Sequence, residues 1–572
     1  MGAFFLSEKS NRLIDQEKAI SVFKQKGFEK VKKFKLGQYI LLLFPKILGE
    51  NKKNYRTYSE DLIFGVGTIM YKNYSRDYVL NGIFEDYLKG ELETERIFGI
   101  FLIGIYHNDK ITLFHDSLNY LQAYYLKDSF CISSSMLALA KAYNGRLNLD
   151  KYAVVSNIVS GCSFGNNTLF EEIKKLDNNL EYFIPEISYR VLDNDTLENI
   201  TFNNRTEAIK YQEEKIDCYF FKIKNFLKQG DLVDTGLSGG YDSRLVVAKL
   251  HQHDFIYQVH TNYKDPPDKD VIISRRIAKS LKKELKEVKI GKTKSLKSSV
   301  HEILPRAMYF YDGQIRVNHG WSREYRTSEY RRRILGDCIL GLSGHNGEQY
   351  RNYYHFIFGK ISQKYFIKQY VFNGLLKRII PDKEFRKQLT KINKEYFRRK
   401  LELDGNLSHT DLRHYYSYEW VWAGPGIRAS IENQLSYFLM PFTDASIIKS
   451  AEKITPYIGC NSKFQSELIK RSCSKLRKIP LIYGYNLEKK SNYNKLLYSF
   501  RCLIPLSVIN YYRHTIKPKK KAIYTHDDKE ILYRTDIPID WNYVFRRGDE
   551  HLIDRSIALA YLLNHLNNKI RF

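Results

Sequence analysis

Leu237-Ser238-Gly239-Gly240-Tyr241-Asp242-Ser243-Arg244, an S-G-G-x-D-S loop, runs out of a short apolar strand at Leu232 and Val233 into a helix carrying Leu245, Val246, Val247, Ala248 and Leu250. Glycines without a Cβ let consecutive backbone N–H groups curl into an anion-binding concavity, and the helix that follows adds its positive dipole end. The stretch predicts a loop that holds a phosphate chain. Ser238 and Ser243 add hydroxyl donors, and Asp242 supplies a hard carboxylate oxygen suited to Mg2+ on those phosphates. It is not a Walker-type loop: Gly291, Lys292 and Thr293 look like the end of one, but Lys286 stands where the first glycine is required.

Outward from the loop, strand and helix signals alternate: a strand over Phe255–Thr261, a helix over Val271–Leu281 and a strand over Leu285–Ile290. Alternation at this spacing predicts α/β architecture, a parallel sheet with crossover helices whose phosphate loops sit at the carboxyl ends of strands. Upstream, to about Pro185, the pattern is of short strands and tight turns. Gly37–Phe44 and Phe98–Tyr106 read as strands, and His107-Asn108-Asp109-Lys110 turns the second into Ile111–Phe114 as a hairpin. A polar stretch, Asp193 to Arg205, precedes an amphipathic helix over Thr206–Leu227 and marks a domain boundary, giving domains over 1–200 and 206–572. From about Ser322 onward the signal is mostly helical.

A chain of 572 residues is too long for one core of ordinary domain size, and 43% hydrophobic with 27% charged residues is ordinary globular composition. No run of about 18 apolar residues predicts a membrane span, and the N-terminus lacks the pattern of a secretory signal. Seven cysteines (131, 162, 218, 338, 460, 473 and 502) fall without C-x-x-C or Cys/His spacing, which points to a reducing cytoplasm rather than structural zinc. The net charge of +28 favours acidic partners such as a nucleotide or an acidic peptide or protein. Nucleic acid is not the expected partner, because no compact aromatic motif for stacking bases accompanies the charge.

Further segments extend the loop into a family resemblance. In order come Phe98–Tyr125, Ser133-Ser134-Ser135 and Thr168–Leu176 in the first half; then the loop with Asp270 and Ala278; then Ser343-Gly344-His345-Asn346-Gly347-Glu348-Gln349, Pro441-Phe442-Thr443-Asp444 and Leu476-Arg477-Lys478-Ile479-Pro480. The series resembles the asparagine synthetase superfamily along essentially the whole chain. The resemblance implies an N-terminal Ntn-hydrolase-like αββα sandwich of the glutamine-amidotransferase type. It also implies a C-terminal ATP-pyrophosphatase (PP-loop) sheet, like that of the adenine-nucleotide α-hydrolases, with a helical extension.

The same resemblance assigns roles. Ser238, Gly239, Gly240, Asp242, Ser243, Ser343 and Gly344 would face ATP and pyrophosphate, Leu237 and Val259 would pack adenine, and Asp242 with Glu348 would hold Mg2+. Lys489 or Lys490 would supply the catalytic cation, and Tyr311–Arg316 would line the acyl pocket. Glu348 stands where the family has Asp, and Gln349 replaces an acid. Members that hydrolyse glutamine use a cysteine after the initiator Met, and Gly2 stands there instead, as in the β-lactam synthetase and lasso-peptide cyclase branches. The expected function is an ATP-dependent, AMP-forming ligase that joins a carboxylate to an amine without glutamine hydrolysis. A lasso-type peptide cyclase and a catalytically inactive ATP-binding interaction protein are the alternatives.

Overall fold

Ala3–Glu8 (β1) and Tyr39–Phe44 (β3) are apolar on both faces and buried along nearly their whole length, so the sheet they share has to be covered on both sides. The computed structural model describes residues 2–48, 54–177, 180–184, 188–191, 200–263, 266–289, 296–315, 327–354, 359–459, 462–488, 503–516 and 527–571. In it, β1 and β3 pair antiparallel from Ala3↔Phe44 to Glu8↔Tyr39. With Lys32–Leu36 (β2), Tyr124–Leu126 (β8), Cys131–Ser133 (β9) and Ile173–Lys175 (β11) they form a six-stranded sheet of order β11-β8-β9-β1-β3-β2.

A second antiparallel sheet has the order β13-β12-β7-β6-β5-β4, from Tyr55–Tyr58 (β4), Asp61–Tyr71 (β5), Ile97–His107 (β6), Lys110–His115 (β7), Leu180–Ile184 (β12) and Ser188–Val191 (β13). Phe4 of the first sheet meets Phe64 of the second, ring centroids 5.8 Å apart. The far face of the first sheet is covered by Gln16–Gln25 (α1) and Met136–Ala142 (α3), with Phe23 stacked on Phe44 at 4.0 Å. The far face of the second carries Val79–Leu88 (α2), whose Ile83 and Phe84 pack with Ile69, Phe101, Ile103 and Ile105. Asn108 and Asp109 both adopt positive φ (49° and 58°) in the β6–β7 hairpin, the geometry a tight two-residue turn needs.

Just beyond β7, Asp116 accepts N–H bonds from Phe101 (3.2 Å), Tyr120 (2.9 Å) and Leu121 (3.2 Å). Burial nevertheless pushes its carboxyl up to about 6 from 3.8, because the N–H bonds favour the charged form by less than desolvation disfavours it. Between those values the folded chain keeps a proton that the unfolded chain has released, so this group's contribution to stability falls as pH climbs through the window. Asp116→Asn removes that titration. The variant is expected to compare better with the parent at pH 7 than at pH 4.5 in chemical denaturation, whatever the fixed cost of losing an acceptor.

The second half begins with Arg205–Phe226 (α5), capped by Asn204, and its sheet is wholly parallel. Val233–Gly236 (β14) leads through Asp242–Gln252 (α6) to Tyr257–Tyr263 (β15), then through Lys269–Ser280 (α7) to Leu285–Lys289 (β16). The chain returns through Leu296–Phe310 (α8) and Ser328–Leu335 (α9) to Leu340–Leu342 (β17) on the other side of β14, and Tyr437–Leu439 (β20) completes the order β16-β15-β14-β17-β20. Strand order therefore reverses between β14 and β17, and the connections leaving them diverge into a crevice, the place where open α/β sheets take ligands.

Small pairings complete the molecule: Ile361–Ser362 (β18) with Asn406–Leu407 (β19), and Leu147–Asn148 (β10) with Ile570–Arg571 (β21), which ties the C-terminal segment to the first half. One continuous buried apolar core runs through both halves. Polar bonds join the halves through it: the Thr68 hydroxyl donates to Asn433 (2.7 Å) and accepts the Phe438 N–H (3.0 Å), and the Ile47 and Leu48 N–H groups donate to the carbonyls of Gln434 and Leu435. Among the described residues no helix is long and apolar enough to cross a membrane.

Candidate functional site

The loop lies at the end of β14, anchored by the Leu237 N–H to the His260 carbonyl (2.8 Å). Ser238 and Ser243 face each other across it, hydroxyl to hydroxyl at 2.9 Å. The Ser238 N–H donates to Ser243 Oγ (3.1 Å) and the Gly240 N–H to Ser238 Oγ (3.2 Å), so the two hydroxyls stand where the loop's amides converge. Asp270 at the start of α7 accepts the Gly239 N–H at 2.7 Å, and Ile482 N–H caps the Gly239 carbonyl at 3.0 Å. An added Cβ at Gly239 would fall 3.0 Å from Ile273 and 3.1 Å from Asp270, close enough that both side chains would have to shift.

Most longer helices here start with a side-chain cap, such as Asp150, Asn204 or Asp268. Helix α6 has none, which leaves the N–H groups of its first turn directed at the loop. Arg244 holds the helix in place from below: fully buried, it donates to the Ile479 and Pro480 carbonyls at 2.9 and 2.8 Å. The Leu476–Pro480 segment is thereby tied to the first turn of α6. Leu237 is buried at the strand end. Val259 pairs with Thr235 two residues lower in the sheet and is covered there.

Beyond β17, Ser343 N–H bonds the Leu439 carbonyl at 3.1 Å, and Asn346 takes positive φ (69°) to turn the chain back. The turn presses against α6: a Cβ on Gly344 would lie 2.7 Å from the Asp242 carbonyl, and one on Gly347 would lie 2.6 Å from Asp242 Oδ1. Gly347→Ala is therefore expected to displace the Asp242 carboxylate, at a stability cost of about 1–3 kcal/mol read by urea denaturation.

Asp242 and Glu348 come together, as the sequence suggests, but around a residue the sequence did not single out. Arg351 grips Asp242 bidentately, Nη1 to Oδ1 at 2.7 Å and Nη2 to Oδ2 at 3.0 Å, and its Nη2 lies 3.6 Å from Glu348 Oε1. Gln465 adds a third donor to Asp242 Oδ1 at 2.7 Å and accepts from Arg351 Nη1 at 3.0 Å. Burial pushes the Glu348 carboxyl up to about 7, Asp242 adds to the rise and Arg351 opposes it. Burial pulls the Arg351 guanidinium down, but Asp242 and Glu348 outweigh it and hold the group firmly protonated. Glu348 Oε2 is buried without a hydrogen-bond partner.

Mg2+ needs near-octahedral oxygen ligands at about 2.0–2.1 Å. Both Asp242 oxygens already accept from N–H groups, and a guanidinium fills the gap between the two carboxylates. As arranged, the residues do not fit the divalent cation expected of Asp242 and Glu348. Among the described residues no group of three or more His, Cys, Asp or Glu side chains is placed to hold a metal.

Other expectations land elsewhere. The described part of the proposed acyl-pocket segment, Tyr311 to Ile315, is buried against the first half: Asp312 binds Lys26 and the start of α3, and Gln314 donates to Tyr124 OH at 3.2 Å. Arg316, Lys489 and Lys490 lie outside the described residues. Gly2 donates its N–H to the Phe44 carbonyl (2.9 Å), and a Cβ there would meet the Gln434 carbonyl at 2.8 Å and the Phe28 ring at 2.9 Å. The first half thus has no space for a side chain at the position where glutamine-hydrolysing members of the resembled family carry their cysteine. Gly2→Cys is expected to lower stability by about 1–3 kcal/mol and to release no glutamate from glutamine. Cys131 offers no substitute, since burial pushes its thiol well above the ordinary range.

No family model matches the chain, and no curated protein does. Among solved structures, the chain is distantly similar to the glutamine phosphoribosylpyrophosphate (PRPP) amidotransferase from B. subtilis complexed with ADP and GMP. That likeness has 10% identity and a TM-score of 0.22, over 52% of this chain and 67% of the other.

Proposed function

We propose that the chain is an ATP-dependent ligase of the asparagine synthetase type, which activates a substrate carboxylate as an acyl-adenylate and couples it to an amine. The observation that carries this reading is the S-G-G-x-D-S loop at the β14/β17 crevice of a parallel sheet, with the uncapped α6 N-terminus and the Arg351 guanidinium gathered behind it. In this reading residues 206–572 are the synthetase domain. Residues 1–200 are a glutaminase-type domain without glutaminase chemistry, so the amine comes from solution or from the substrate itself.

The first step forms a bond from a carboxylate oxygen to the α-phosphorus of ATP and breaks the Pα–O–Pβ bond, releasing pyrophosphate. Negative charge grows on the leaving group, and fixed donors aimed at it lower the barrier. The N–H groups of the first turn of α6 and the two serine hydroxyls are those donors, and the Arg351 guanidinium, held on Asp242, adds its charge beside them. In the second step the amine attacks the acyl carbon, the C–O bond to AMP breaks, and the amine loses a proton. The resemblance gives the cation for that intermediate to Lys489 or Lys490. The net charge of +28 suits an acidic peptide or protein partner alongside the carboxylate substrate.

Incubation with ATP, ammonium and a panel of carboxylic and peptide acids is expected to yield AMP and pyrophosphate in equal amounts. ADP and phosphate would refute the scheme. A cyclised peptide product would place the chain with the lasso-type cyclases. A second reading, a nucleotide-binding protein without turnover, is favoured by the bidentate grip of Arg351 on Asp242, which occupies the carboxylate a metal would need. Stabilisation by ATP with no pyrophosphate from any acid would select it.

A further inference from the structure

We infer that Arg351 is the resident cation of the phosphate site, so that the loop over 238–243 takes a nucleotide polyphosphate without a divalent metal. The inference rests on the phosphate-loop reading above and adds to it the means by which phosphate charge is met.

The guanidinium sits between the two carboxylates, 2.7 Å from Asp242 and 3.6 Å from Glu348, with its side chain 14% exposed. It is positioned rather than loosely present. The short helical turn over Gly347–Tyr350 brings Arg351 back under Glu348, with the Arg351 N–H on the Glu348 carbonyl at 3.0 Å. Gln465, buried on the neighbouring helix Lys463–Ser472, bridges Arg351 Nη1 and Asp242 Oδ1 and donates also to the Gly347 carbonyl. The Tyr241 ring lies 5.9 Å from the guanidinium carbon, a cation–π distance. The guanidinium's contacts with Asp242, Glu348, Gln465 and the Tyr241 ring are all lost if Arg351 swings out to admit a metal.

A bidentate guanidinium–carboxylate pair is among the stronger charge-assisted arrangements, and removing one partner in a largely buried setting is costly. A metal would have to displace it, strip Gln465 from Asp242, and leave the guanidinium a new set of acceptors. A polyphosphate meets no such obstacle, since it approaches from the loop side, where the serine hydroxyls and α6 amides stand. The guanidinium keeps its fork on Asp242 and meets the phosphate charge electrostatically, always protonated and without leaving its partners.

The test is a calorimetric titration of the full chain with ATP, once in excess Mg2+ and once in excess EDTA. Dissociation constants within about twofold of each other support the inference. Binding at least tenfold weaker in EDTA overturns it while leaving the phosphate loop in place. No binding in either buffer overturns the phosphate-loop reading, and the inference with it. Arg351→Gln is expected to bind ATP at least tenfold more weakly than the parent in EDTA, and unchanged binding there would overturn the role given to Arg351. The two parent titrations decide the matter if that variant does not fold.

Discussion

Asp242→Ala is expected to eliminate AMP and pyrophosphate formation and to destabilise the chain at the same time. The alanine leaves the Arg351 guanidinium in place with only Glu348, 3.6 Å away, to answer its charge. It also frees the Gln465 amide, which donates to the same carboxylate. Breaking a buried pair by removing one partner costs about 3–5 kcal/mol, and the remaining carboxylate points to the lower end. Urea denaturation reads the stability and a coupled pyrophosphate assay reads the activity. Asp242→Asn separates the two: the amide keeps the shape and one acceptor, so it recovers part of the stability, but it sets an N–H group against the guanidinium and recovers no activity. An alanine variant as stable as the parent would show that the ion pair is not what organises the site.

The second large effect lies away from the loop. Lys26, which ends α1, and Asp312, in the turn after α8, form an ion pair at 2.7 Å with side chains 1% and 4% exposed. Asp312 also accepts from the Ser135 hydroxyl and, at 2.6 Å, from the Met136 N–H at the start of α3. One carboxylate thus joins two helices of the first half to the second. Asp312→Ala strands a buried ammonium and two further donors, for an expected loss of about 3–5 kcal/mol. Lys26→Met should cost less, because it leaves Asp312 with two donors and replaces the ammonium by a thioether of similar length. The order of the two variants in thermal unfolding is the check: equal losses would mean that apolar packing, not the charge network, joins the halves here.

The positions most legible in the sequence are those fixed by neighbours along the chain. The helix read over Thr206–Leu227 is Arg205–Phe226, and the turn read at His107–Lys110 closes the β6–β7 hairpin, because helical periodicity and turn residues are local signals. The strand, loop and helix around Ser238–Ser243 follow for the same reason. What escaped the sequence is what distant residues supply. Arg351 and Gln465 are 109 and 223 positions from Asp242, and Lys26 is 286 from Asp312. Nothing in the pattern around Arg351 distinguishes it from a surface arginine. The resemblance gives Tyr311–Arg316 to a pocket, whereas Asp312 (φ 58°) and Gly313 (φ 69°) turn its described part, Tyr311 to Ile315, into the first half. The residue type that fills the space between Asp242 and Glu348 is set by the fold around it, and only the assembled site reveals it.

Amide hydrogen exchange with and without saturating ATP tests most directly whether the loop holds the nucleotide's phosphates. The account predicts slowed exchange in segments 237–250 and 343–351, with the rest of the parallel sheet little changed. ATP that binds and protects other segments, or leaves these two exchanging as before, would contradict it.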